Sequence, residues 1–140
     1  MRFFIDTSIF VDTLRLDVVP ASKSLFECLD GENEGFTSTI AVAELSVGAY
    51  LSSESNALEK TVDLLSLVSI IDLDREIAME AGKIYSGLVK KGSRIELNDC
   101  LIAATCLSLG VSDVVTRNTN HFERIGGINA ITPEELEFKV

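Results

Sequence analysis

Short apolar runs alternate with longer segments of helical spacing along this chain, and the alternation predicts a parallel sheet covered by helices on both faces. Phe3, Phe4 and Ile5 read as a buried strand over Arg2–Asp6, followed by a polar turn and a helix from about Ser8 to Leu14. Pro20 suits the first turn of a second helix that reaches Leu29, with Gly31 as its stop. Gly35–Ser38 reads as a strand before the helical stretch TIAVAELSVGAYL. A helix over Glu54–Leu67 and a strand over Val68–Leu73 follow. The longest helix spans Asp74–Lys91, capped by Asp74 and ended by Gly92. Next come an apolar helix headed by Asp99 and ended by Gly110, a strand at Asp113–Thr116 and a last strand near Ile128–Ile131. The tail Pro133–Val140 is expected to fold against the surface.

Four polar side chains interrupt this apolar pattern. Asp6 lies inside FFIDTSIFV, where an unpaired carboxylate would cost several kcal/mol or take up a proton. Glu44 shares the face of Ile40, Ala41, Val47, Gly48 and Leu51 at helical spacing, so that face is expected to point inward. Asp99 stands at the N-terminal end of the stripe Ile102, Ala103, Cys106 and Leu107. Asn118 follows the strand DVVT. In open α/β sheets ligands bind beyond the carboxyl ends of the strands, where Asp6 and Asn118 fall and where the first turns of the other two helices can reach.

Composition fits one domain over residues 1–140, long enough at 46% hydrophobic to bury about two-thirds of its unfolded surface. The longest apolar stretches, such as LLSLVSII, fall short of the ~20 residues that span a bilayer, and Asp6 interrupts any signal-like run. A soluble, cytoplasmic protein with no membrane partner is expected. Three cysteines without a CxxC pair and a single histidine argue against a disulfide framework, a zinc site or a Ser-His-Asp triad. An oxygen-only donor set instead suits Mg²⁺ or Mn²⁺, which could activate water against a phosphodiester.

The net charge of −10 speaks against a nucleic-acid partner until its distribution is considered. Residues 1–82 carry five basic against fifteen acidic groups, whereas Lys83–Arg124 holds six basic against four. Positive potential is thus confined to one region that includes Arg117, although KKGSR by itself is a solvated helix end. Singly, each polar residue also has a structural alternative. Asp6 and Asn118 suit turns, Glu44 suits an ion pair, Asp99 suits a first helical turn, and Thr7 and Ser8 suit a helix cap, with an auxiliary contact to metal or phosphate as their second role. His121 reads as a rim or packing residue rather than a general base. Only the joint arrangement favours a site.

FFIDTSIFVD, AVAEL, LNDCLIAATCLSLG and VVTRNTNHFERI occur in the order and spacing of PIN domains and most resemble the VapC-type ribonuclease toxins, over essentially the whole chain. That resemblance implies a three-layer α/β/α fold with about five parallel strands. It also implies an acidic Mg²⁺/Mn²⁺ site for RNA cleavage, carried onto Asp6, Glu44 and Asp99, and on that reading Arg117 and nearby cations are expected to position the RNA backbone. The fourth position, commonly Asp, is here Asn118, whose amide supplies neither charge nor a base. Homodimerisation and neutralisation by a small antitoxin that inserts near the active site are further implications. A phosphoryl-transfer protein of the dehalogenase type wants a second aspartate where Ser8 stands, and receiver-type paired acids are not evident. A PIN-like RNA- or protein-binding scaffold without catalysis is the non-enzymatic alternative, against which three acids in apolar settings argue.

Overall fold

In the computed structural model, residues 1–136 are described. Five parallel strands, β1 (Arg2–Ile5), β2 (Glu34–Ser38), β3 (Ser69–Ile71), β4 (Asp113–Val115) and β5 (Asn129–Ile131), form one sheet in the order β3-β2-β1-β4-β5. Parallel pairing aligns Phe4 with Phe36 on one side and with Val114 on the other. The chain winds outward from β1 through β2 to β3, then returns to place β4 on the opposite flank. The carboxyl ends of β1 and β4 therefore flank the topological switch point.

Strand alternation sends successive side chains into two cores. Phe3, Ile5 and Val115 pack with Ile9, Phe10, Leu25 and Leu45 from α1 (Thr7–Leu14), α2 (Pro20–Glu27) and α3 (Thr39–Leu51), with Leu65 of α4 (Ala57–Leu65) closing that layer. Phe4, Phe36 and Val114 pack on the other face against α5 (Arg75–Lys90) and α6 (Leu97–Ser108). Burying side chains such as Phe3, Phe4 and Phe10, all fully enclosed, contributes roughly 1.5–3 kcal/mol each. Both predicted layers and all five predicted strands are present.

Several boundaries follow local chemistry. Asp74 caps α5 by accepting the Ile77 amide at 2.8 Å, and Gly92 leaves that helix at φ 69°, a conformation that only glycine adopts without strain. The helix expected over Glu54–Leu67 is shorter, Ala57–Leu65, and the strand after it is Ser69–Ile71. TRNTN, read as a turn, leads into a one-turn helix α7 (Thr119–Phe122), too short for any periodicity to show. The first part of the tail forms a 3₁₀ turn at Pro133–Glu135 that packs with α2, while residues 137–140 lie outside the described residues. Among the described residues no helix is long and apolar enough to cross a membrane. Cys100 and Cys106 are buried as expected, and burial pushes the Cys106 thiol up to about 12, which leaves it unreactive.

Candidate metal centre at the carboxyl edge of the sheet

Asp6 is the first residue beyond β1 and is 3% exposed. Its Oδ2 accepts two hydroxyl hydrogen bonds, from Ser8 at 2.9 Å and from Thr116, just beyond β4, at 2.8 Å. Burial raises its pKa, and the charge of Asp99 adds to the rise, while those hydroxyls and the Thr7 backbone oppose it. Asp6 occupies the N-cap position of α1 without a cap bond to the N2 or N3 amide, and the helix's first turn meets its carboxylate through the Ser8 hydroxyl instead.

Glu44 reaches the same edge from α3, but not as the apolar pattern implied. The inward face of α3 carries Ala41 and Leu45, with Val42 partly buried, whereas Val47, Tyr50 and Leu51 are exposed. Glu44 is itself exposed. The helix TIAVAELSVGAYL is apolar nearly all round, so its spacing does not fix which side meets the sheet. Thr7 Oγ1 nevertheless donates to Glu44 Oε1 at 3.0 Å, tying α3 to α1 beside Asp6. Partial burial raises the Glu44 pKa, and Asp6, Asp99 and Glu96 add repulsion.

Asp99 comes from the first turn of α6, where the helix dipole favours a carboxylate. Its Oδ2 lies 2.9 Å from His121 Nδ1 of α7. Burial raises its pKa, the His121 contact lowers it, and Glu96 raises it further. Asn118 is exposed; its amide N–H donates to Thr116 Oγ1 at 2.9 Å, and its side chain does not cap α7.

Thr7 and Ser8 do not cap α1 as expected but orient carboxylates, and Ser8 Oγ also accepts the Arg117 amide. The guanidinium of Arg117, expected on the RNA side, is instead taken up by Asp12 at 2.7 Å, by Ser22 and by Glu134. Thr116 and His121 are the contacts that sequence reasoning missed. A hydroxyl closing the strand beside the Asp6 strand was the available signal for Thr116; a lone histidine in a turn-like segment offered none.

Each acid thus carries its own positioning group: Ser8 and Thr116 for Asp6, Thr7 for Glu44, and His121 for Asp99. Among the described residues no three His, Cys, Asp or Glu side chains form a ready-made cage. Hard divalent ions need none, because Mg²⁺ is held by one or two carboxylates and keeps several waters. The oxygen donors, and the repulsion that Asp6 and Glu44 feel from Asp99, fit such an ion.

A family profile for the PIN domain matches residues 3–128, from the first strand past α7. The chain belongs to the PIN domain family. This PIN domain is 29% identical over 130 residues to a tRNA(fMet)-specific endonuclease VapC of Shigella flexneri, covering 91% of this chain and 95% of that protein. It is 30% identical over 126 residues to Ribonuclease VapC2 of Rickettsia felis, with 89% and 92% covered. Its backbone superposes on VapBC2 of Rickettsia felis, solved with a promoter DNA fragment, at TM-score 0.82 and 27% identity over 94% of this chain and 98% of that one. FitAcB of Neisseria gonorrhoeae gives TM-score 0.81 at 26% identity, covering 96% and 99%. Within the PIN family these likenesses place the chain among the VapC ribonucleases.

Proposed function

We propose that this PIN domain is an Mg²⁺- or Mn²⁺-dependent endoribonuclease toxin whose cation is held by Asp6, Glu44 and Asp99, with Asn118 as a neutral accessory. The observation that carries the assignment is the approach of carboxylates from three elements to the β1/β4 switch point, where Thr7 bonds Glu44 beside Asp6, the charge of Asp99 raises the Asp6 pKa, and Asp6 and Asp99 both raise that of Glu44. A divalent cation bound there supplies Lewis acidity to a water and to the phosphoryl oxygens of RNA. The protein's part is orientation. Ser8 and Thr116 fix the rotation of the Asp6 carboxylate, and Thr7 fixes Glu44. With Asp99 ionised, the proton of its bond to His121 rests on Nδ1. Thr116 Oγ1 also accepts the backbone N–H of Asn118, which ties the chain at the accessory residue to the hydroxyl that bonds Asp6.

The solved neighbours are VapBC complexes, which supports a small antitoxin as the protein partner here. Exposed Val47, Tyr50, Leu51 and Val62 on α3 and α4, beside Glu44, supply an apolar surface that an antitoxin segment or a second copy would cover in a homodimer. Such a toxin works in the cytoplasm, with its RNA.

The test is RNA cleavage by the chain freed of any partner, in Mg²⁺ or Mn²⁺ and in EDTA, beside Asp6→Asn and Asp99→Asn. The wild type should cleave only with metal, and each variant should lose about two orders of magnitude in rate, since the cation contributes several kcal/mol. Undiminished cleavage in EDTA, or by both variants, would remove the metal site from the reaction.

A further inference from the structure

Exposed arginines without an ion-pair partner among the described residues stand beside the Asp99 end of the site. Lys23 and Lys60 are paired with Glu27 and Glu54, and Arg117 is paired with Asp12 and Glu134. Arg2 lies over the Phe36 ring. Arg94 and Arg124, by contrast, make no ion pair among the described residues. Arg124, just past α7, donates from Nη1 to the Arg94 backbone carbonyl at 3.1 Å, which sets its guanidinium against the loop that carries Arg94, and both residues are exposed. Lys90 and Lys91 end α5 immediately upstream.

Between α5, the Arg94 loop and α7 lies a cleft of about 420 Å³ lined by Tyr85, Arg94, Glu96 and His121. The volume falls within the ~300–1,000 Å³ of small-ligand sites, enough for a nucleotide. His121 lines this cleft and contacts Asp99, so a single side chain stands between the cleft and the candidate metal centre. Tyr85 is half-buried against the core edge, and its hydroxyl makes no hydrogen bond among the described residues.

Resting on the ribonuclease reading, we infer that this cleft binds the nucleotide flanking the scissile phosphate of single-stranded RNA, with Tyr85 stacking on the base and Arg94 and Arg124 taking the backbone. Unpaired bases splayed onto aromatic rings beside cations are the usual basis of single-strand recognition. Glu96 repels phosphate at its end of the cleft and leaves the Arg94 end for the backbone. The cleft also explains how a chain of charge −10 holds a polyanion: only local charge is needed within the screening length of ~10 Å.

Steady-state cleavage of a single-stranded oligoribonucleotide in Mn²⁺, at several salt concentrations, tests the inference. The double variant Arg94→Ala/Arg124→Ala should raise KM about tenfold and flatten the slope of log(1/KM) against log salt by about 1.4, two contacts at ~0.7 each. Tyr85→Leu, which keeps the core contact, should raise KM about tenfold without altering that slope. Lys23→Ala, away from the cleft, should match the wild type in both. Thermal melts confirm that each variant is folded. Cleavage with KM and salt slope unchanged in the arginine and tyrosine variants would overturn the cleft while leaving the nuclease standing. No RNA cleavage by the wild type in either metal would remove the nuclease reading and this inference with it.

Discussion

Asp6 is a carboxylate held almost wholly away from water, in a stretch whose neighbours Phe3, Phe4, Ile5, Ile9 and Phe10 are all fully buried, and two hydroxyls only partly offset that burial. The folded chain therefore binds a proton at Asp6 more readily than the unfolded chain does. In metal-free protein this penalty on stability grows as pH rises from the usual value of 3.8 through the raised folded pKa. Asp6→Asn removes it. The metal-free variant should melt above the wild type at pH 7 by about 3 °C, the shift that ~1 kcal/mol gives in a domain of this size, and the gap should close as pH falls to about 4. Thermal melts in chelator decide this; a variant that melts lower at both pH values would mean that the Ser8 and Thr116 bonds outweigh burial. The importance of Asp6 was legible in sequence because its neighbours are uniformly apolar. Thr116 and His121 were not, since their partners lie 110 and 22 residues away.

Elements rather than residues explain Arg117. It joins the end of β4 to α1 through Asp12, to α2 through Ser22, and to the 3₁₀ turn through Glu134, so one planar fork fastens three segments. Asp12 is a buried carboxylate whose partners are this arginine and Ser22. Arg117→Ala leaves it without a counter-charge and should cost about 3 kcal/mol in urea unfolding. Arg117→Lys should recover only part of that, because an ammonium cannot span the fork. Arg117→Ala combined with Asp12→Ala should cost less than the two single losses together. Unchanged stability in Arg117→Ala would return the residue to the RNA-facing role that its sequence position suggested. A helix such as α5, amphipathic and capped at both ends, was legible residue by residue. In α3 the orientation was not, because apolar side chains surround it and only the neighbouring sheet selects Ala41 and Leu45.

At the scale of the molecule, the five strands and their coverage on both faces could be read from alternating patterns, but the order β3-β2-β1-β4-β5 is a tertiary property that no window of sequence contains. That order makes the site, because it sets β4 beside β1 and so brings Thr116 and α7 to Asp6. The resulting group of acids couples stability to metal and pH in opposite directions. Without metal, burial of Asp6, Glu44 and Asp99, with repulsion from neighbouring carboxylates, weakens the fold as pH rises through their raised pKa values. With Mn²⁺, the same deprotonation creates the ligands, so metal binding strengthens the fold as pH rises. Glu134, whose pKa the Arg117 contact lowers, stabilises the fold above its usual 4.5 with or without metal, and so cancels in the difference between the two conditions. At about 100 times its Kd, Mn²⁺ should add ~2.7 kcal/mol at pH 7, or roughly 8 °C in Tm. The two melting curves should converge as pH falls toward 4, and Asp6→Asn should shrink the gap at neutral pH. Parallel curves across that range would mean that Mn²⁺ binds somewhere other than these three carboxylates.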